Sequence, residues 1–211
     1  MNIKVNNVDV EINDGIVTFK IDSKELEKML SKENVELATL KPGEIFKSET
    51  GIEYIVLEQL ENGTRVIRNE LLPIKKEFGR NNNFSKSSIK DYLNGDYYEN
   101  EVIKGFGKDN LVDREIDLLS NDGLDDYGKL HVKIGLLTID DYRKYRKSCF
   151  KESKDSWWWL STPNSTPTGY GDDFVQCVRS GGDVNYGGYD YYGGVRPDFI
   201  LKSSIFVSLR K

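Results

Sequence analysis

The three tryptophans of this chain are consecutive, and this run restricts the fold more than any other feature of the sequence. Trp157, Trp158 and Trp159 are followed by Leu160, so four large apolar side chains stand in a row. Successive side chains of a β-strand point to opposite faces of the sheet, which puts Trp157 and Trp159 on one face and Trp158 on the other. The run therefore predicts a strand at residues 157–160 with at least two of its tryptophans in the core.

The segment after residue 178 combines glycine with tyrosine and short polar side chains. Tyrosine offers a large amphipathic contact area at a small entropic cost, and glycine lets the backbone adapt, as in antibody loops. We therefore expect the loops 164–173 and 180–192 to form a ligand surface. The alternative is a mobile loop whose tyrosines simply lie at the surface. The predicted contacts are Trp158, Tyr170, Asp172, Asp173, Arg179, Asp183, Tyr186, Tyr189, Asp190, Tyr191 and Tyr192.

The pattern of residues 37–211 as a whole predicts an α+β domain. Short strand-like runs are separated by turns rich in Gly and Asn, and strands and helices follow one another without regular βαβ alternation. Residues 104–131, rich in Gly, Asp and Asn, are predicted to be loop. The strands predicted besides 157–160 are residues 45–46, 52–60, 64–69, 134–137, 174–178 and 195–201.

Two short helices are predicted within this domain. The first is capped by a serine among residues 85–88 and ends at Asn94-Gly95. The second follows Thr138 and carries two aspartates, residues 140–141, in its first turn, where the helix dipole favours negative charge.

Residues 1–36 are predicted to form a separate attachment segment, a β-hairpin followed by a helix. Apolar and polar residues alternate on both sides of the turn Asn13-Asp14-Gly15, and Asp22 with Glu25 resembles a capping box. So small a unit buries too little surface to be stable alone. It would dock on its own main domain, on a copy of itself or on a larger assembly. The residues expected to make the attachment are Val8, Val10, Ile12, Val17, Phe19, Ile21, Leu26, Met29 and Leu30.

Charge and hydropathy exclude several classes of partner. The formal net charge is -5, which offers no electrostatic footprint for a phosphate backbone, so nucleic acid is not expected. No apolar run approaches the roughly 20 residues that span a bilayer, so we expect no membrane insertion. Residues 1–12 lack the apolar core of a signal peptide, which predicts synthesis in the cytoplasm. Cys149 and Cys177 lie far apart in the sequence and are predicted to be buried thiols.

Four short motifs occur in the order typical of a known family. They are Tyr92-Leu93-Asn94-Gly95 followed by Tyr97-Tyr98, then Gly135-Leu136-Leu137-Thr138, then Trp158-Trp159-Leu160 with Pro163, and finally Gly194-Val195-Arg196-Pro197. Together they resemble DUF6273, a family of uncharacterised domains common in phages and prophages of low-GC Gram-positive bacteria. The resemblance covers about residues 40–205 and leaves out the N-terminal segment.

The resemblance implies a C-type-lectin-like fold, of the superfamily that includes the formylglycine-generating enzyme and phage receptor-binding tips. It implies structural roles for Trp157, Trp159, Gly194, Arg196 and Pro197, with Arg196 paired to a core carboxylate. The chain departs from the pattern in several places. Many relatives carry Arg where this chain has Ser161, and the calcium-site signatures and paired cysteines of the superfamily are absent. The resemblance therefore implies the fold rather than an activity.

The sequence contains no recognisable catalytic set. His131 is the one histidine, and no motif supplies it with a nucleophile or with further metal ligands. The aspartate pairs at residues 125–126 and 172–173 stand in Gly-rich loops, which leaves calcium open, although no EF-hand spacing supports it. We therefore expect a non-enzymatic protein with no cofactor and no metal site.

These observations predict a phage virion surface protein that displays a lectin-like binding domain. Residues 1–36 would attach it to other virion proteins or form a homo-oligomer, and residues 37–211 would bind a host surface glycan or protein. It would be made in the host cytoplasm and end at the surface of the capsid or tail. The alternatives are a structural decoration protein that binds only virion proteins and an enzyme descended from the same fold.

Overall fold

The computed structural model describes the backbone of residues 2–5, 8–13, 16–20, 34–150 and 154–209, and the side chains of residues 34–150 and 154–209. The chain divides into two compact units, Met1–Asn34 and Val35–Lys211. The boundary lies close to the predicted one between residues 36 and 37. No helix in the described ranges is long and apolar enough to cross a membrane.

The first unit contains a three-stranded antiparallel sheet in the order β1-β2-β3. Its strands are β1 (Asn2–Val5), β2 (Val8–Asn13) and β3 (Ile16–Lys20). The predicted hairpin is confirmed as β2 and β3, which carry the attachment residues Val8, Val10, Ile12, Val17 and Phe19. Strand β1 was not predicted. Ile21, predicted as the last apolar residue of the hairpin, lies outside the described residues, as does the predicted helix with Leu26, Met29 and Leu30.

The second unit is a mixture of mostly antiparallel sheets and short helices, so the predicted α+β class is confirmed. Its helices are α1 (Ser88–Asn94), a π-helical turn (Tyr98–Val102), α2 (Ile103–Phe106) and α3 (Ile139–Cys149). Its strands are β4 (Asn34–Glu36), β5 (Ile45–Lys47), β6 (Glu53–Leu60), β7 (Gly63–Arg68), β8 (Lys75–Lys76), β9 (Leu111–Val112), β10 (Arg114–Asp117), β11 (Lys129–Val132), β12 (Ile134–Gly135), β13 (Trp158–Pro163), β14 (Phe174–Val178), β15 (Val184–Gly188), β16 (Gly193–Gly194), β17 (Asp198–Leu201) and β18 (Phe206–Leu209).

The strands form two main sheets. One has eight strands in the order β12-β17-β7-β6-β5-β18-β4, with β9 also paired to β17, and the other has five in the order β15-β14-β13-β16-β8. The pairing of β13 with β16 is parallel. Buried aromatic rings fill the core on one side of the larger sheet, where the ring of Tyr54 lies 5.1 Å from that of Phe106 and 5.5 Å from that of Phe199.

Both predicted helix caps are confirmed. The Ser87 hydroxyl accepts the Lys90 N–H at the start of α1, and Thr138 forms a capping box with Asp141 at the start of α3. A cap of this kind satisfies N–H groups that the first helical turn leaves without partners. Caps are local, which is why the sequence shows them.

The prediction that residues 104–131 are loop is wrong. This range contains most of α2, all of β9 and β10, and the first residues of β11. Along β10 the burial alternates, with Arg114 and Ile116 inside and Glu115 and Asp117 outside. The side chains therefore alternate between inside and outside, as in any strand. One inward position is an arginine, however, so the residues do not alternate between apolar and polar and the strand was not predicted.

The strand predicted at residues 195–201 is wrong in its extent, because the chain changes sheets within it. Gly193–Gly194 pairs with β13 and β8, whereas Asp198–Leu201 pairs with β7 and β12. Pro197 has no N–H to donate to a sheet, but its carbonyl accepts the Arg68 N–H at 3.0 Å. The strand predicted at residues 134–137 is also shorter and ends at Gly135.

A buried cluster of charged residues connects β7, β10, β17 and α3. Asp198 is fully buried and accepts hydrogen bonds from Arg65 and Arg114, and Arg65 also makes two bonds of 2.7 Å to Asp141. Burial lowers the pKa of the Arg114 guanidinium, whereas Arg65 faces both carboxylates, which outweigh burial and raise its pKa. This cluster fixes the start of α3 against both strands.

We predict that Asp198→Asn destabilises the protein by about 3–5 kcal/mol, because it leaves two buried guanidinium groups short of a carboxylate. The matched control is Asp140→Asn, an exposed carboxylate on α3 that pairs with Arg143, which we expect to cost less than about 1 kcal/mol. Urea unfolding of both variants measures the difference. Equal losses would contradict the role of the cluster.

We also predict an acid-sensitive component of stability at Asp141. Burial alone would raise the pKa of Asp141, but the hydrogen bonds and charge of Arg65, with Arg114, hold it at about 2. An unfolded aspartate has a pKa near 3.9, so the unfolded chain binds this proton first and stability is lost as the pH falls from about 4 to about 2. Between pH 5 and pH 2.5, the Asp141→Asn variant should lose about 1–2 kcal/mol less unfolding free energy than the unaltered chain loses. An equal loss in both proteins would show that Asp141 is not its source.

Candidate functional site

Trp157 immediately precedes β13, and the three tryptophans divide between the two faces of the sheet as predicted. Trp158 and Trp159 are 2% and 0% exposed, and the rings of Trp157 and Trp159 meet edge to face at 4.6 Å. Trp158 points the other way, where its ring packs on those of Tyr142 and Phe150. Trp158 was predicted to contact a ligand on the same surface as the tyrosines, but its ring lies on the α3 side of the sheet, against Tyr142 and Phe150. Trp157 is the tryptophan that reaches the surface.

An open cleft of about 500 Å³ lies on the side of the five-stranded sheet that carries Trp157. Cys177 of β14 and Asn185 of β15 stand opposite each other in the strand register and belong to its lining. The other lining residues are Asp155, Ser156, Trp157, Arg179, Ser180, Tyr186, Gly187 and Tyr191. The cleft thus combines aromatic rings with polar groups able to form hydrogen bonds, the usual composition of a small-molecule site.

The tryptophan pair depends on the absence of side chains at two neighbouring glycines. A Cβ atom added at Gly193 would lie 2.5 Å from the Trp157 ring and 2.6 Å from Trp159 Nε1. One added at Gly194 would lie 2.9 Å from the Trp157 carbonyl. The Gly-Gly sequence of β16 therefore lets the backbone pass directly against the tryptophans. This is the physical reason why the tryptophan and glycine motifs occur together.

The structure brings only part of the predicted ligand surface together. Arg179, Tyr186 and Tyr191 line the cleft, with the rings of Tyr186 and Tyr191 55% and 60% exposed. Residues predicted as contacts that do not line it are Trp158, Tyr170, Asp172, Asp173, Asp183, Tyr189, Asp190 and Tyr192. Trp157 was expected to be structural, and the other lining residues that were not predicted as contacts are Asp155, Ser156, Cys177, Ser180, Asn185 and Gly187. Of these, Asn185 is placed by the strand register, which sets it opposite Cys177.

The predicted loop 180–192 contains a strand in its middle. Residues 184–188 form β15, and a tight turn precedes it, in which the Arg179 N–H donates to the Asp183 carbonyl at 2.8 Å. Tyr189 is half-buried against the main core, so its predicted ligand contact is not supported. Tyr192 is exposed, and its hydrogen bond to Glu77 raises the pKa of its phenol.

Asn82, which is fully buried, holds the loop 164–173 in place through hydrogen bonds to the backbone. The Asn82 amide donates to the Ser165 carbonyl at 2.8 Å and to the Phe174 carbonyl at 3.0 Å. Thr168 donates its hydroxyl proton to Asp126 at 2.7 Å, which fixes the outer part of the loop. Tyr170 at the tip is 93% exposed and lies apart from the cleft.

The cleft contains one arginine near a carboxylate and one buried thiol. Arg179 lies 3.5 Å from Asp183, and both side chains are largely exposed. Burial raises the pKa of the Cys177 thiol to about 11, so the thiol stays protonated at neutral pH and is a poor nucleophile. His131, the one histidine, lies on β11 and faces Glu115. Within residues 34–150 and 154–209, no group of three or more His, Cys, Asp or Glu side chains is placed to hold a metal ion.

Residues 27–203, most of the chain, match the family described as "Domain of unknown function (DUF6273)". The match begins inside the N-terminal segment and not near residue 40, where the resemblance was expected to start. No curated protein and no solved structure matches the chain.

We predict that Gly193→Ala destabilises the protein by about 1–3 kcal/mol and changes its near-ultraviolet circular dichroism, because the new methyl group displaces the tryptophan rings. The matched control is Gly187→Ala in β15, whose added Cβ would lie at an ordinary 3.5 Å from the Trp159 ring. We expect that variant to keep both its unfolding midpoint and its tryptophan signal. If Gly193→Ala behaves like Gly187→Ala, the close approach does not constrain the site.

Proposed function

This chain belongs to the DUF6273 family, and from that premise we propose that it is a non-enzymatic binding domain whose cleft recognises a carbohydrate. The observation that carries the proposal is the convergence of Trp157, Tyr186 and Tyr191 on one open cleft that also contains Arg179 and Asn185. Family membership assigns no activity, so the argument rests on this geometry.

The geometry suits a sugar because aromatic rings and polar groups occur together. A pyranose has apolar C–H faces that pack on aromatic rings and hydroxyl groups that require hydrogen-bond partners. Asp155 and Asn185 supply acceptors, and Arg179 and Asn185 supply donors. The volume of about 500 Å³ lies within the usual range of small-molecule sites, roughly 300–1,000 Å³. The cleft is open, which fits part of a longer chain better than an enclosed small molecule.

The wider setting is part of the same proposal. The resemblance of the sequence motifs to domains of phages and prophages supports a virion surface protein with a C-type-lectin-like fold. Residues 1–36 would attach the domain to other virion proteins or to further copies of the chain, and the cleft would bind a glycan or protein of the host surface. The three-stranded sheet in the first unit supplies ordered backbone for such an attachment.

We predict that Tyr191→Ala weakens glycan binding at least tenfold, about 1.4 kcal/mol, because it removes an exposed ring that stacks on the sugar. The matched control is Tyr170→Ala, which removes an even more exposed tyrosine outside the cleft. Isothermal titration with cell-wall polysaccharide fragments of the host compares both variants with the unaltered chain.

Equal affinity of the Tyr191→Ala variant and the unaltered chain would place glycan binding elsewhere. Absence of glycan binding together with binding to purified virion proteins would favour a structural decoration protein. Release of shortened fragments during the titration would show an enzyme and overturn the non-enzymatic proposal.

A further inference from the structure

A second pocket, of about 190 Å³, lies on the opposite side of the β14–β15 turn from the cleft. Helix α3 contributes Tyr142 and Arg146, the turn contributes Arg179 and Gly182, and Lys154 and Arg196 complete its charged lining. We call it the basic pocket. Arg179 and Ser180 line both the basic pocket and the cleft.

Among the described residues, the cations that line the basic pocket outnumber the carboxylates paired with them. Lys154 pairs with Glu70 at 2.8 Å, and Arg179 lies 3.5 Å from Asp183. Arg146 and Arg196 make no ion pair within residues 34–150 and 154–209. The lining thus has two guanidinium groups in excess, on a chain whose net charge is negative.

Arg196 is held rigidly at the base of the pocket. It is 2% exposed, and it donates from Nε to the Arg68 carbonyl at 2.9 Å and from Nη2 to the Asn69 carbonyl at 2.7 Å. Its guanidinium lies over the rings of Phe150 and Trp158. The resemblance implied a core carboxylate as its partner. These bonds go to backbone carbonyls instead, and the buried carboxylate, Asp198, binds Arg65 and Arg114.

Burial of Arg196 has an electrostatic cost that neutral carbonyl groups offset only in part. Burial lowers the pKa of the Arg196 guanidinium to about 10, although Glu70 acts in the opposite direction. The group therefore still carries its charge at neutral pH. An opposite charge nearby offsets the remaining cost of a buried cation, and an anion in the pocket would supply one.

The mouth of the pocket is shaped by contacts around Gly182. The Tyr142 hydroxyl donates to the Gly182 carbonyl at 2.7 Å, which ties the turn to α3. A Cβ at Gly182 would lie 3.3 Å from the Tyr142 hydroxyl and 3.6 Å from Nη2 of Arg146, and the positive φ of 86° also favours glycine. The backbone of the turn and the Arg146 guanidinium therefore stand side by side at the opening.

We propose that the basic pocket binds one oxyanion group, a phosphate or a carboxylate, through the guanidinium groups of Arg146, Arg179 and Arg196. Planar guanidinium groups bind both oxyanions through paired, charge-assisted hydrogen bonds. The pocket is smaller than the usual small-molecule site of roughly 300–1,000 Å³, so it accommodates a charged group and not a whole ligand. This site does not depend on the cleft binding a glycan.

The test is a titration of the full chain with inorganic phosphate and, separately, with acetate at constant ionic strength, followed by tryptophan fluorescence because Trp158 lines the pocket. We expect saturable binding that is at least tenfold weaker in Arg146→Gln. Arg143→Gln is the matched control, since Arg143 is exposed on the same helix and pairs with Asp140, and it should bind as the unaltered chain does. Arg146 is exposed, so its substitution should leave the fold intact.

Each outcome decides the proposal. Saturation by phosphate alone identifies a phosphate site, and saturation by acetate as well identifies a site that also accepts carboxylates. No saturation by either anion overturns the proposal, as does equal weakening by Arg143→Gln, which would indicate a nonspecific effect of charge. Tyr191→Ala should leave anion binding unchanged, so that failure of the cleft and failure of the basic pocket are distinguishable.

Discussion

The buried carboxylate of Asp198 is the interaction on which much of the second unit depends. It holds the guanidinium groups of β7 and β10 inside the protein, and through Arg65 it reaches Asp141, which also caps α3. Removal of charges from water is costly unless they are paired well, so these elements must keep their relative positions. Because α3 is fixed in this way, it covers Trp158 on one face of the five-stranded sheet and leaves the other face to Trp157.

The segment that leads to Asp198 links this cluster to both candidate binding sites. Gly194 lies against the backbone carbonyl of Trp157, which lines the cleft. Arg196 lies at the base of the basic pocket, and Asp198 completes the charge cluster. These three residues are every second residue of the segment in which the chain passes from the five-stranded sheet to the eight-stranded sheet. A change in this short segment would therefore affect packing, charge and both surfaces together, which explains why its glycines, arginine and proline occur as one motif.

The two proposed sites share the turn between β14 and β15, and this suggests how they would act together. Arg179 and Ser180 line both, so a ligand that carries a sugar ring and a nearby charged group would contact the aromatic cleft and the basic pocket at once. Two weak contacts on one rigid scaffold reinforce each other because the second is formed at a high effective concentration.

The sequence by itself determined the features that depend on local periodicity and local hydrogen bonds. The α+β class, the hairpin of the first unit, the caps at Ser87 and Thr138 and the opposite faces of Trp157 and Trp158 all follow from residues close together in the chain. The sequence also predicted a ligand surface formed by the loops 164–173 and 180–192, because tyrosine and glycine are concentrated in the second of them; that ligand surface stays a prediction.

Only the tertiary structure decided which of these side chains meet. Whether Trp157 or Trp158 is exposed depends on the position of α3, and Asn185 enters the cleft only because strand pairing sets it opposite Cys177. Apolar periodicity also failed at β10, where the inward side chain of Arg114 is satisfied by Asp198 from a distant strand. Pairing between distant residues leaves no periodic signal in one sequence, so the buried charges and the linings of the cleft and the basic pocket became visible only in the folded chain.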